Sequence, residues 1–173
     1  ACYLDSAAAG DIPLLGYGLR YRYGLFKQAF TDGKQSETPD DWSRFGDPFS
    51  LRRYDLRLTI RMGELTVVAV PYDMPVIGYG RKSIGTLRLW QTEAPEDISF
   101  PLFNAQRYAE AAADKNKAED LCKFLYPNDS GDEGKLMRIR QEYLLSAASV
   151  RDILRSFEKR FGKAYDKLPE LAA

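Results

Sequence analysis

Histidine is absent from the 173-residue sequence, and cysteine occurs only at Cys2 and Cys122. The missing histidine excludes the usual histidine-bearing zinc sites, Ser-His-Asp triads and Cys-His pairs. Two cysteines so far apart form no disulfide framework, and this usage is typical of a reducing compartment. We therefore expect no metal site and a cytoplasmic location.

Net charge and long apolar runs are also missing. Lysine plus arginine equals aspartate plus glutamate at 25 each, so the chain has no overall field that attracts nucleic acid or an anionic membrane. No run approaches the roughly 18 apolar residues of a membrane span, and no signal peptide is visible. We expect neither nucleic acid nor a membrane as a partner.

Residues 1–100 show the alternating patterns and turn residues of mixed strands and loops. Residues 1–9 are rich in alanine and favour a helix. Period-two alternation predicts strands, whereas clusters of proline and glycine predict loops. The predicted strands are 14–28, a hairpin over 54–70 that turns at Gly63 and Glu64, and 83–90; the predicted loops are 31–50 and 71–80.

Residues 101–162 predict two long helices separated by a loop. The first, 101–126, is alanine-rich and lightly apolar, which is typical of a helix that bridges solvent or docks on a partner subunit. Pro127 ends it, and 127–135 is rich in turn-forming residues, which composition alone describes as an ordinary interhelix turn.

The second helix is predicted over 136–162, with Gly162 as its stop. Apolar residues at steps of three and four form a stripe that predicts a long amphipathic helix. The stripe consists of Leu136, Ile139, Tyr143, Ala147, Val150, Leu154, Phe157 and Phe161. Pro169 and the last three residues suggest the start of a further strand.

Several strings of the sequence resemble one family along essentially the whole chain. They are TPDDWSRFGDPF, PYD-x-PV-x-GYG, TLRLW, and YPND followed by EGK and RQEY. Together they resemble the glycogen, starch and maltodextrin phosphorylases. The resemblance implies an α/β fold, with 1–173 a single partial domain within the N-terminal Rossmann-like domain of a two-domain GT-B glycosyltransferase. It also implies a β-hairpin insertion, a tower-like helix over 101–126 and an active-site gate loop over 127–135.

The resemblance also implies a function. Family members use inorganic phosphate to release glucose 1-phosphate from an α-1,4-glucan, with pyridoxal phosphate acting through its phosphate group. In the family the cofactor lysine, the phosphate-binding groups and a histidine near the sugar lie outside the matching segment. We therefore expect the isolated chain to be inactive and to bind no cofactor, and we expect a homodimer formed through the 105–125 helix.

Few site residues are implied. Asp129 matches an aspartate that supports the catalytic centre, while Tyr126, Asn128 and Ser130 match positions near the bound glucan. Gly131 replaces a phenylalanine that forms an aromatic stack in mammalian relatives. Arg155 and Ser156 stand where regulated relatives have two adjacent arginines that bind the phosphate of AMP, so this effector site is degenerate.

Two other functions fit the sequence. One is a stand-alone glucan-binding module that uses the aromatic residues Tyr72, Tyr79, Trp90 and Tyr126. The other is a helical hairpin that serves only dimerisation through its alanine-rich surface.

Overall fold

The computed structural model describes residues 2–80 and 83–171. Seven strands and six helices lie in this part of the chain, together with 3₁₀ turns at Tyr54–Leu56 and Tyr165–Lys167. In chain order they are α1 (Cys2–Ala9), β1 (Leu15–Leu19), β2 (Phe26–Thr31), β3 (Lys34–Pro39), β4 (Leu51–Arg52), β5 (Leu58–Met62), β6 (Leu65–Ile77), β7 (Ile84–Glu93), α2 (Phe100–Asn104), α3 (Tyr108–Ala111), α4 (Ala113–Asp120), α5 (Asp132–Phe161) and α6 (Leu168–Leu171). The predicted α/β class is confirmed.

A five-stranded sheet carries the fold. Its order is β1-β7-β6-β4, and β5 also pairs with β6. Strand β1 runs parallel to β7, and the other pairs are antiparallel. The predicted hairpin is present as β5 and β6, with Met62 opposite Leu65 and Gly63 at a φ of 63° in the turn.

Strand β6 is longer than the sequence indicates, because it continues to Ile77 through most of the predicted 71–80 loop. Pro71 and Pro75 pair with β7 opposite Trp90 and Thr86. Proline removes only a donor, and the carbonyl oxygen of Pro71 still accepts a hydrogen bond from the Arg53 amide at 2.8 Å. The prediction of a loop over 71–80 was therefore wrong for residues 71–77, because the two prolines do not interrupt the strand.

The predicted 14–28 strand is two strands. Strand β1 ends at Leu19, and β2 pairs instead with β3, which lies inside the predicted 31–50 loop. Asp32 and Gly33 join β2 to β3 with φ angles of 52° and 73°, the positive values that a two-residue hairpin turn requires. The end of the predicted 14–28 strand and the beginning of the predicted 31–50 loop therefore form a hairpin that turns at Asp32 and Gly33.

The predicted single helix over 101–126 is absent, since α2, α3 and α4 are separate short helices. Gln106 has a φ of 60°, which breaks the first helix from the second. Ala118, Leu121 and Cys122 are buried in the core, and the Ala118 carbonyl accepts a hydrogen bond from the Thr92 hydroxyl at 2.7 Å. The end of the segment therefore packs on the sheet, where the sequence predicts a continuous helix.

Helix α5 begins at Asp132, four residues before the predicted start, and ends before Gly162, whose φ is 69°. The predicted stop is confirmed, whereas the predicted apolar stripe is only partly buried: Phe157 is buried, but Ile139 and Val150 are exposed. The buried residues of α5 are Gln141, Leu144, Ala148, Ser149, Asp152 and Phe157. Ser149 and Asp152 bind side chains of the sheet, and Gln141 binds backbone carbonyl oxygens that follow α4, so hydropathy alone did not predict the burial of these polar residues.

At the end of the chain, Leu168–Leu171 form α6 rather than the expected strand. Ala172 and Ala173, which that prediction included, lie outside the described residues, as does Ala1 of the predicted first helix. Within residues 2–80 and 83–171, no helix combines the length and apolarity needed to cross a membrane.

Candidate functional site

The residues assigned to the glucan site lie together in an exposed loop, residues 126–131, just before α5. Tyr126 is 70% exposed, and Asn128, Asp129 and Ser130 are also exposed. The Asn128 side-chain oxygen accepts a hydrogen bond from the Ser130 amide at 3.1 Å. This local bond gives the loop a defined turn.

Gly134 sets the path of this loop across the first turn of α5. A Cβ atom at this position would lie 1.8 Å from the Asn128 carbonyl oxygen and 2.8 Å from the Asp129 Cα atom. Both contacts are with backbone, so no side-chain rotation relieves them. Only glycine allows the 126–131 loop to lie this close to the helix.

Gln141 and Arg138 of α5 hold the segment that enters the loop. The buried Gln141 side-chain amide donates hydrogen bonds to the carbonyl oxygens of Leu121 and Phe124, both at 3.0 Å. Arg138 donates to the Leu125 carbonyl at 3.2 Å and to the Gln141 side-chain oxygen at 3.1 Å. An open cavity of about 250 Å³ lies beside these groups. Sequence reasoning missed both residues.

The two residues of the expected effector site lie far from the loop. Arg155 is 23 residues beyond Asp132 on α5, which corresponds to about 35 Å along the helix axis. Its guanidinium donates to the Asp152 carboxylate and to the Leu56 carbonyl oxygen, the latter at 3.0 Å. Ser156 is exposed. The structure therefore separates the two predicted sets of residues.

A buried ionic network joins α5 to the sheet and includes Arg155. Arg88 of β7 binds Asp73 through Nε and Nη2, both at 2.7 Å, and binds the Asp152 carboxylate through Nη1 at 2.5 Å. Asp152 is fully buried and also accepts a hydrogen bond from the Tyr17 hydroxyl at 2.9 Å. We refer to Tyr17, Asp73, Arg88, Asp152 and Arg155 as the ionic network.

The environment of this network shifts the titration of two of its members. Burial, together with the hydrogen bond to Asp152, raises the pKa of Tyr17 above its ordinary value. The two hydrogen bonds that the Arg88 guanidinium donates to the Asp73 carboxylate raise the pKa of Arg88, which keeps the guanidinium charged. The one sequence signal for the network is a charged residue, Arg88, inside the apolar strand sequence SIGTLRLW.

The four aromatic residues of the stand-alone glucan-binding hypothesis do not form a common surface. Trp90 is fully buried, and its indole donates to the Ser149 hydroxyl at 3.2 Å. Trp90 pairs with Pro71, so the next residue along β6, Tyr72, faces the other side of the sheet, where it lies 4.4 Å from the Arg20 guanidinium. Tyr79 is 94% exposed on a separate loop.

The described residues offer neither a metal-binding cluster nor a buried lysine. They contain no group of three histidine, cysteine, aspartate or glutamate residues placed to hold a metal ion. Their lysines all lie at least partly exposed, and the two least exposed pair with acids: Lys115 with Asp97 at 2.6 Å and Lys123 with Asp120 at 2.8 Å. These residues do not fit an enclosed imine site for pyridoxal phosphate, so no step is assigned to that cofactor within this chain.

Comparison with known proteins covers the whole chain. A family described as carbohydrate phosphorylase matches residues 1–173. Human liver glycogen phosphorylase is 39% identical over 194 residues, which cover 100% of this chain and 23% of the relative. Mouse brain glycogen phosphorylase is 40% identical over 177 residues (94% and 21%), and the Chlamydia pneumoniae glycogen phosphorylase is 39% identical over 178 residues (92% and 22%). The chain thus spans about a fifth of the length of these relatives.

Proposed function

The chain belongs to the carbohydrate phosphorylase family, and we propose that the complete protein containing it is an α-1,4-glucan phosphorylase. By the complete protein we mean the polypeptide encoded by the whole reading frame that includes this chain. The reaction is the attack of inorganic phosphate on the terminal glucose of glycogen or maltodextrin, which releases glucose 1-phosphate. The observation that carries the proposal is about 40% identity over nearly the whole chain to proteins named glycogen phosphorylase.

Within that enzyme, we assign the 126–131 loop to the mouth of the active site. Its exposure leaves Tyr126 and Asn128 available to a glucan chain. In this proposal the Asp129 carboxylate supports the hydrogen-bond network of the catalytic centre, and the Ser130 hydroxyl donates a hydrogen bond to glucose. Gly131 carries no aromatic ring, so the stack that binds purine-type inhibitors is reduced by half.

The rest of the complete protein supplies the reacting groups. Pyridoxal phosphate, when bound there, provides a phosphate group that donates and accepts the proton. The described residues of this chain contain no buried lysine for it, so we expect the isolated chain to be inactive. We further propose that this chain forms part of the N-terminal Rossmann-like domain of a GT-B enzyme. The enzyme is cytoplasmic and forms a homodimer through the 105–125 segment.

We also propose that AMP does not activate this enzyme. Binding of a nucleotide phosphate by two arginines depends on both guanidinium groups. Here the Arg155 guanidinium already donates hydrogen bonds to Asp152 and to the Leu56 carbonyl, and the neighbouring residue is the uncharged Ser156. The network therefore serves to hold α5 on the sheet rather than to sense AMP.

Product analysis tests the proposed function. The complete protein is incubated with maltoheptaose, with and without inorganic phosphate, and the products are separated. We expect glucose 1-phosphate and maltohexaose, formed only when phosphate is present. Free glucose formed without phosphate would indicate a hydrolase and would overturn the proposal, as would the absence of any turnover.

A further inference from the structure

Helix α5 presents an exposed apolar stripe on the face that points away from the sheet. Its residues follow one another at steps of 3, 4, 3, 4 and 3, the heptad spacing of helices that pack side by side. They are Leu136, Ile139, Tyr143, Ser146, Val150 and Ile153, and we refer to them as the outer stripe. Ile139 is 62% exposed and Val150 is 53% exposed.

The outer stripe cannot turn inward to join the core of this domain. The opposite face of α5 holds Gln141, Leu144, Ala148 and Asp152, all buried. Rotating the helix would break the hydrogen bonds that Arg88 and Tyr17 donate to the buried Asp152. Breaking a buried ion pair is strongly destabilising. The stripe is therefore fixed in its outward position and must meet either solvent or another helix.

The chain as a whole exposes much more surface than a compact monomer of its mass. Its accessible surface is 12,274 Å², whereas a monomer of 19.7 kDa exposes about 8,600 Å². Permanent interfaces bury about 2,000 to 5,000 Å² in total, or about 1,000 to 2,500 Å² on each partner, so the surplus of roughly 3,700 Å² exceeds what one such interface covers. This surface is evidence for extensive permanent contacts.

We propose that the outer stripe is the docking surface for an amphipathic helix contributed by the remainder of the complete protein. The inference rests on the proposed function, because the relatives supply about four-fifths of their length from outside the matching segment. A second copy docked on this stripe alone leaves other strongly exposed aromatic residues uncovered, among them Phe30, Phe45 and Phe49. A long polypeptide covers the stripe and these residues together.

The spacing of the stripe defines the partner helix. The distance from Leu136 to Ile153 is about 25 Å along the axis, which a helix of about 17 residues matches. Heptad spacing favours a crossing angle of about 20° with side chains interlocked. The partner therefore carries apolar residues at heptad spacing, with a small polar or apolar residue opposite Ser146.

Cysteine accessibility in the complete protein tests this surface. In a background where Cys2 and every reactive cysteine outside residues 1–173 are replaced by serine, Ser146→Cys and Val150→Cys report on the outer stripe. Lys159→Cys reports on an exposed position near the end of the same helix. Cys122 is buried and adds little signal. We expect maleimide to label the two stripe positions at least about tenfold more slowly in the folded protein than in denaturant. Lys159→Cys serves to show that the reagent reaches the helix.

Cross-linking then identifies the occupant. A photoreactive maleimide is attached slowly at Ser146→Cys, the protein is irradiated at low concentration, and the joined peptides are sequenced. We expect a peptide from outside residues 1–173 within the same polypeptide, with contacts repeating at three and four residues. The inference is overturned if the two stripe positions are labelled as fast in the folded protein as in denaturant, or if the cross-link joins a second copy of the protein. Glucose 1-phosphate release by the same samples tests the proposed function separately.

Discussion

The ionic network yields a quantitative prediction for Asp152→Asn. This substitution keeps the shape of the side chain but removes its negative charge. The Asp152 carboxylate accepts hydrogen bonds from the Tyr17 hydroxyl and from the guanidinium groups of Arg88 and Arg155. It also turns an amide NH₂ toward groups that are themselves donors. Asp152 is fully buried, so water does not replace the lost partner.

Removing one member of a buried ion pair costs about 3–5 kcal/mol. Asp73 still holds Arg88 through two hydrogen bonds, so we expect the lower end, about 3 kcal/mol. For a chain of this length that loss lowers the midpoint of thermal unfolding by about 6 to 12 °C. The Arg88→Met and Asp152→Asn changes should also be non-additive, because the two residues are in direct contact.

Urea unfolding followed by circular dichroism measures the effect on the free energy of unfolding. The matched control is Asp55→Asn, which removes a carboxylate that also binds an arginine, Arg53, but is largely exposed. We expect the control to match the wild-type chain within error. If Asp152→Asn costs less than about 1 kcal/mol, the network does not hold α5 on the sheet and the reasoning fails.

Three further predictions follow from single groups. In the complete protein, Gly134→Ala displaces the 126–131 loop and should lower kcat/KM for phosphorolysis at least about tenfold. The control Gly24→Ala meets no neighbouring atom and should leave kcat/KM unchanged, and equal values for the two variants would contradict the account of the loop. The pKa of Tyr17 is raised in the folded state, so the protonated side chain stabilises the fold at pH values below the unfolded pKa of about 10, and this stability is lost as the pH rises further. The free energy of unfolding, measured from pH 9 to 11.5, should therefore fall less steeply with pH in Tyr17→Phe than in the wild-type protein. AMP should leave the phosphorolysis rate of the complete protein unchanged, since Ser156 carries no charge; a severalfold rise would refute this.

The sequence predicts elements whose signals are local. The β5–β6 hairpin follows from alternation around Gly63, and the end of α5 follows from Gly162, because both depend on backbone freedom at one position. Clustering of turn residues likewise predicts the exposed loop with Asn128 and Ser130. In each case the physical cause lies within a few residues of the pattern.

Features that depend on distant partners were not predictable. Gln141 and Asp152 look like exposed positions, yet both are buried because Leu121, Phe124, Tyr17 and Arg88 satisfy them. Ile139, Tyr143 and Val150 of the predicted stripe remain exposed, while Phe157 of the same stripe is buried. The prediction of one helix over 101–126 is wrong for the same reason, since Ala118 and Leu121 are buried against distant residues of the core.

The most direct test of the central claim is the effect of Asp129→Asn on phosphorolysis by the complete protein. Glucose 1-phosphate release from maltoheptaose is measured at saturating phosphate, and thermal unfolding is recorded in parallel. We expect kcat to fall about tenfold to a hundredfold, the cost of losing one charged hydrogen bond in the transition state. Because Asp129 is exposed in the loop, the unfolding midpoint should not change. An unchanged kcat would show that the 126–131 loop is not part of the active site.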